Sequence, residues 1–265
     1  MATPVPRQVS WQARDVEREE LLVDALIVGA GPAGLACAIQ LRRLLEQKGL
    51  GEKTVLVLEK AEEVGYHVLS GAVMDPRGIA ELFPGWRAEG CPVEADVRFD
   101  CLDVLWKSGK TTRLRGALMP PPLHNHGNSI VSLYQVTRWL RERAEATGVE
   151  VTPGFAGAEL LFDGERVIGV QTRDAGVAKG GAAKSTFQAG MNVKAPVTVL
   201  AEGTRGSLAK HLIARLALGR PENPPSYGTG VKELWEIPGE LGAALEGHWI
   251  HTLGMPLRLD GYGGR

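Results

Sequence analysis

Val23-Asp24-Ala25-Leu26-Ile27-Val28-Gly29-Ala30-Gly31-Pro32-Ala33-Gly34-Leu35 is the stretch from which the fold of this chain is read. An apolar run of strand length meets three glycines spaced G-x-G-x-x-G, and a helical pattern of Leu35, Ile39, Leu41 and Leu45 follows. A buried strand that turns sharply into a helix needs Gly29 for the turn. Gly31 lets the backbone approach a pyrophosphate, and Gly34 lets the helix pack closely on the strand. A second apolar run, Val55-Leu56-Val57-Leu58, ends at Glu59, which follows Gly34 by 25 residues. That spacing suits an acidic side chain accepting hydrogen bonds from a ribose. Together these features form a dinucleotide-binding βαβ unit. Its phosphates would rest on the helix N-terminus, where N–H groups and roughly half a positive charge of dipole favour an anion. The unit alone leaves FAD and NAD as alternatives.

At 265 residues, 44% of them hydrophobic, the chain has room for one large or two modest domains of soluble globular type. Thirty basic residues against 31 acidic ones leave no net field, and no Lys/Arg run forms a stripe, so nucleic acid is not an expected partner. The uncharged stretch between Asp24 and Arg42 is shorter than the ~20 apolar residues of a spanning helix. The first 22 residues lack the apolar centre of a signal peptide, and Asp15, Glu17, Glu19 and Glu20 do not suit a transit peptide. A bacterial cytoplasmic or mature organellar protein fits. Cys37, Cys91 and Cys101 have no Cys-x-x-Cys spacing, so neither a disulfide framework nor a metal site is expected. Cys37, within the first helix, reads as a small buried hydrophobe.

Beyond Glu59 a glycine-containing loop from Gly65 to Pro76 leads to a stripe of Ile79, Leu82, Phe83 and Trp86 on one helical face. From the residues alone this stripe packs into a core. Phe99–Trp106 and Thr111–Leu114 read as a hairpin across Ser108-Gly109-Lys110. Ser132, with Gln135 three residues on, opens a helix lined by Leu133, Val136, Leu140, Ala144 and Thr147 and ended by Gly148. A short strand at Val149–Thr152 precedes a hairpin of Ala158–Phe162 and Arg166–Thr172 around Asp163-Gly164, and another turn is expected at Gly180-Gly181. Val197–Ala201 reads as a buried strand, followed by Glu202-Gly203-Thr204-Arg205-Gly206 and a helix through Leu208, Leu212 and Leu216.

Several segments together resemble the electron transfer flavoprotein–ubiquinone oxidoreductase family, from about Leu22 to the last residue. They are Val28–Leu35, Gly65-Tyr66-His67-Val68-Leu69-Ser70-Gly71-Ala72, Asn125-His126-Gly127-Asn128 with Ser132-Leu133, and Pro153-Gly154-Phe155-Ala156. Ala201–Gly206, Tyr227-Gly228-Thr229-Gly230-Val231-Lys232-Glu233-Leu234-Trp235 and His251-Thr252 continue the match. The sequence departs from the family at His124 and Ser129, where Asn or Met and an aromatic are usual, and at Met255, where Trp is common.

The resemblance implies an α/β, glutathione-reductase-like FAD-binding (Rossmann-like) fold with an inserted, incomplete quinone-binding α+β domain. It selects FAD over NAD. It implies cofactor contacts from Gly29, Ala30, Gly31, Pro32, Ala33, Gly34, Glu59, Lys60, Ser70, Gly71, Ala72, Ala201, Glu202 and Gly203, and quinone contacts from Gly263 and Gly264. His67 and His126 are further candidates for flavin or quinone contact. In the family, electrons pass from reduced electron transfer flavoprotein through FAD and a [4Fe-4S] cluster to ubiquinone, so no catalytic nucleophile is expected. The cluster takes four cysteines, and its ligands are expected outside this chain.

The implied organisation is a leader at 1–21, FAD-domain parts at 22–90 and 130–218, a quinone-domain or insert segment at 91–129, and the start of a quinone domain at 219–265, with about half of the protein beyond. The implied partners are electron transfer flavoprotein and ubiquinone. Peripheral membrane contact is expected through the segment from Leu69 to Trp86, on the cytoplasmic face of a bacterial inner membrane or on the mitochondrial inner membrane. Alternatives are another flavoprotein of this fold, geranylgeranyl-reductase-like, and a non-catalytic FAD-binding fragment that needs a partner chain.

Overall fold

The computed structural model describes residues 16–69, 72–178, 182–219, 230–256 and 262–264. Strand β1 (Glu20–Leu22) leads into β2 (Ala25–Val28), helix α1 (Pro32–Gln47) and β3 (Val55–Leu58). Next come β4 (Ala72–Met74), α2 (Arg77–Leu82), β5 (Ala95–Asp96), β6 (Phe99–Leu105) and β7 (Thr111–Leu114). After β8 (Ser129–Val131) the chain forms α3 (Leu133–Ala146), β9 (Glu150–Thr152), β10 (Gly157–Asp163) and β11 (Arg166–Thr172). An antiparallel pair, β12 (Ala175–Val177) and β13 (Ala183–Gln188), precedes β14 (Asn192–Lys194), β15 (Val197–Leu200) and α4 (Ser207–Arg215). Last are α5 (Gly239–Leu245), β16 (His248–Gly254) and β17 (Tyr262–Gly264). The turn expected at Gly180-Gly181 lies outside the described residues.

The chain divides into two compact units, 1–68 with 137–229 and 69–136 with 230–265. The division falls at 68/69 and 136/137, whereas the expected domain limits were 90/91 and 129/130. The reason is strand pairing: β8 bonds to both β4 and β5, which draws residues on either side of the expected limits into one sheet.

In the first unit, β15, β2, β3 and β9 form a parallel sheet in that order. Every residue of β2 and β3 is buried, as strands covered on both faces require. Alternation sends Leu26, Val28, Leu56 and Leu58 into a cluster with Val170, Val193 and Leu208, which belong to β11, β14 and α4. Ala25, Ile27, Val55 and Val57 point to the opposite face. Each buried aliphatic side chain of this kind contributes about 1.5–3 kcal/mol. A second sheet, ordered β1-β14-β11-β10, carries the expected hairpin at Asp163-Gly164. Arg18 fastens its edge, donating to the Asp174 carboxylate and to the Gly190 carbonyl.

In the second unit, the expected hairpin β6–β7 is present, and β6 pairs on its other side with β16, in parallel, from Phe99↔His248 to Leu105↔Gly254. β17 adds antiparallel to β16. The aliphatic cluster is small, built on Cys101, Leu102, Met119 and Ile250. Asp103, buried beside it, receives two hydrogen bonds of 2.7 Å from Arg113 on β7.

The burial expected of the apolar stripe from the residues alone holds, and the membrane docking that the resemblance implied for it is corrected. Ile79, Phe83 and Trp86 are 9%, 5% and 6% exposed, so they are buried and not presented to a surrounding phase. The helix α2 ends at Leu82, and Phe83 and Trp86 stand on the turn that follows, closed by the Trp86 N–H donating to the Phe83 carbonyl. No helix among the described residues is long and apolar enough to cross a membrane.

Candidate dinucleotide site

The four parallel strands of the first unit end at one rim, where ligands of open α/β sheets bind. Backbone hydrogen bonds knit that rim together. Gly29 N–H donates to the Leu58 carbonyl at 2.8 Å, Ala201 N–H to Val28 at 2.8 Å, and Glu59 N–H to Thr152 at 3.0 Å. Phe155 and Gly154, from the turn after β9, donate to the carbonyls of Glu59 and Ala61 at 2.9 and 2.7 Å. This Pro153–Ala156 turn was quoted for its resemblance, but only the structure seats it on the rim.

The three glycines have different neighbours. Gly29 adopts φ +105°, and a Cβ there would lie 2.5 Å from the Ala201 carbonyl oxygen. A Cβ on Gly34 would lie 2.0 Å from the Gly29 carbonyl oxygen, so α1 and the turn are in backbone contact. A Cβ on Gly31 would meet nothing within 4 Å. The open space is at the N-cap of α1, where no side chain caps the helix, Pro32 opens it and no acidic residue occupies the first turn. The N-terminal N–H groups of a helix have no partners within it, so this end is suited to a phosphate. The residues present therefore fit a dinucleotide: a side chain at Gly31 would fill space that a pyrophosphate needs.

Glu59 is 9% exposed and accepts two backbone hydrogen bonds, from Ala30 to Oε2 and from Ala61 to Oε1, each 2.9 Å. It ties the glycine turn to the end of β3. A carboxylate has about four lone-pair sites, so capacity remains for a ribose hydroxyl. His67 Nδ1 lies 4.0 Å from Oε1 on a largely exposed ring. Lys60 is exposed. Glu202 has a task its motif did not reveal. Its carboxylate accepts from Ser207 and Leu208 at 3.0 and 3.1 Å and from Ala209 at 2.8 Å, capping α4. What Ala201 to Gly203 offer a ligand is thus backbone.

The other expected site residues fall elsewhere. Ser70 and Gly71 lie outside the described residues, and Ala72 is on β4 of the second unit. Gly263 and Gly264 are on β17, opposite Thr252 and His251. His126 is exposed. Cys91 and Cys101 are buried and Cys37 half-buried, and burial pushes the Cys91 thiol up to about 11. No group of three or more His, Cys, Asp or Glu among the described residues could hold a metal ion. A cleft of about 450 Å³ opens beside the starts of β2 and β15, at the end of the strands remote from the rim, and takes no part in this site.

A glycine turn on an uncapped helix, backed by a buried acid at the end of the next parallel strand, defines a dinucleotide-binding Rossmann-like protein. A profile described as an NAD(P)-binding Rossmann-like domain matches residues 27–90. The fold is shared with a geranylgeranyl bacteriochlorophyll reductase-like protein of Thermoplasma acidophilum (TM-score 0.54, 15% identity, 89% of this chain and 51% of that one).

Sequence comparison is more specific. The chain is 42% identical to a probable electron transfer flavoprotein–ubiquinone oxidoreductase of Acinetobacter baylyi, over 94% of this chain and 44% of that one. It is 46% identical to the mitochondrial enzyme of Dictyostelium discoideum (91% and 39%) and 42% identical to that of Bos taurus (98% and 42%). The chain is homologous to the N-terminal part of electron transfer flavoprotein–ubiquinone oxidoreductases. It spans between 39% and 44% of the length of these relatives.

Proposed function

We propose that this chain is the FAD-binding N-terminal part of an oxidoreductase that takes electrons from reduced electron transfer flavoprotein and delivers them to ubiquinone. The observation that carries the reading is the open, uncapped N-terminus of α1 at Gly31, set beside Glu59, in a chain with these relatives. Gly29, Gly31 and Gly34 shape the cradle for the pyrophosphate, the first-turn N–H groups of α1 neutralise it, and Glu59 accepts from the ribose. Ala201 to Gly203 approach the cofactor through backbone. When bound, the flavin supplies reversible uptake and release of electrons. On the quinone side, Gly263 and Gly264 present backbone without side chains to a flat head group.

Three cysteines at separate places do not fit a [4Fe-4S] cluster, which takes four, so no step in this chain runs through one. In this reading the cluster, and a peripheral contact with the inner membrane through which ubiquinone is reached, belong to the part of the relatives that this chain does not match.

The test is the cofactor. The purified chain is expected to carry FAD, seen in its absorbance spectrum, and Gly31→Val to lose it while keeping the wild-type circular dichroism. Full flavin retention by that variant, or saturable NAD binding without flavin, overturns the assignment.

A further inference from the structure

Gly263 and Gly264 belong to a strand that specifies its own register weakly, because glycines put no side chain on either face of the sheet. Their position must come from the strand they pair with. On β16, His251 stands opposite Gly264 and Thr252 opposite Gly263. His251 is 5% exposed, and its Nε2 is the meeting point of three groups. The Trp249 indole donates to it at 3.1 Å, the Asn125 amide nitrogen lies at 2.9 Å and the Leu123 carbonyl at 3.0 Å. Asn125 in turn donates its backbone N–H to the Asp100 carboxylate on β6. A neutral imidazole with Nε2 unprotonated accepts from the two donors, and the other tautomer donates to Leu123. Either way the ring joins β16 to the loop that leads into Asn125-His126-Gly127-Asn128, and Asp100 joins that loop to β6.

We propose that His251 is a positioning residue for the quinone-side glycine pair: its buried imidazole clamps β16 to the 123–128 loop, and strand pairing transmits that placement to Gly263 and Gly264. This rests on the quinone reading of those glycines. Leaving partners of a buried network unsatisfied costs more than the bonds contribute when made, so loss of the imidazole loosens β16 and with it β17.

The test uses the intact chain with decylubiquinone as probe, its binding followed by tryptophan fluorescence, and amide hydrogen exchange along β16 and β17. His251→Leu is expected to weaken binding by about tenfold or more and to speed exchange in β17. His251→Gln keeps a donor and an acceptor on the side chain and is expected to bind within about threefold of wild type. Trp249→Phe removes one donor with little change of shape and is expected to weaken binding by about threefold. If His251→Leu and Trp249→Phe bind as wild type does while folded, or if Gln is as damaging as Leu, the proposal is overturned. Failure of the wild-type chain to bind decylubiquinone overturns the quinone reading instead. Exchange then judges the clamp alone, with faster β17 exchange in His251→Leu supporting it and unchanged exchange overturning it.

Discussion

In the first unit every residue of β2 and β3 is an aliphatic side chain buried on one face or the other, and a single cluster links that sheet to β11, β14 and α4. In the second unit β6 and β16 carry Cys101, Leu102 and Ile250, but also Asp103 and His251, all buried. The first arrangement is driven by area alone and rewards any apolar residue of suitable size. The second has a smaller aliphatic cluster, and its buried polar groups are tolerable only when each meets its particular partner. A strand that slips in the first unit loses burial; in the second it also strands a carboxylate or an imidazole.

The contrast is one between β2 and β3 on one side and β6 and β16 on the other, and the edge of the first unit's second sheet departs from it. The first unit does contain one buried ion pair, Arg18 with Asp174, whose side chains are 7% and 0% exposed. The Asp174 carboxylate beside it raises the Arg18 guanidinium above its ordinary value. Arg18→Met is expected to cost about 3–5 kcal/mol, the largest effect here, because the wholly buried Asp174 carboxylate would lose its guanidinium partner. Urea denaturation measures it, and a loss below about 1 kcal/mol would show that the edge of this sheet is held by other means.

Backbone contact sharpens the comparison next. Gly34→Ala is expected to cost about 2–3 kcal/mol, since its Cβ would strike the Gly29 carbonyl oxygen, whereas Gly31→Ala is expected to stay within about 0.5 kcal/mol. Thermal melts of the pair decide it, and equal costs would contradict the close approach of α1 to its own turn.

In the second unit Arg113→Met is expected to cost about 2 kcal/mol. That is less than a wholly buried pair would lose, because Arg113 is 42% exposed while Asp103 is 3% exposed. The same melts show whether this cost falls on the second unit.

The smallest expected effect is a pH dependence of the second unit. Burial holds the His251 imidazole below its ordinary value, offset in part by the Leu123 carbonyl and the Asp100 carboxylate. Above about 6.5 it is neutral both folded and unfolded. As the pH falls through that value the unfolded chain takes up the proton first, so stability declines until the lower, folded-state value is reached and then levels. Melts from pH 7.5 to 5 are expected to show that decline in wild type and a reduced one in His251→Gln; identical slopes would remove His251 as its source.

Much of this was legible in residues close together in the chain. The β2-α1-β3 unit, the hairpins β6–β7 and β10–β11 and the helix α3 are local objects whose periodicity and turn residues lie within short windows. The pairing of β6 with β16 joins residues 149 positions apart and leaves no local mark. The stripe at Ile79, Phe83 and Trp86 shows a different limit. An apolar helical face reads the same whether it meets a core or a lipid surface, and the structure buries it. At the candidate site the glycine turn and Glu59 could be read from spacing. The use of Glu202 on α4 and the convergence of Asn125, Trp249 and His251 could not, because hydrogen-bond partners are chosen by distance in space.

By itself, then, the sequence determined the Rossmann-like unit, the glycines that approach one another's backbone, and the family, because strand and helix periods, tight turns and shared motifs are written in adjacent residues. Only the tertiary structure decided that residues 69–136 and 230–265 form one unit, that the apolar stripe is buried and not left for a lipid surface, and that a buried histidine stands opposite Gly264. Those outcomes depend on which distant surfaces exclude water from each other, a property of the folded chain as a whole.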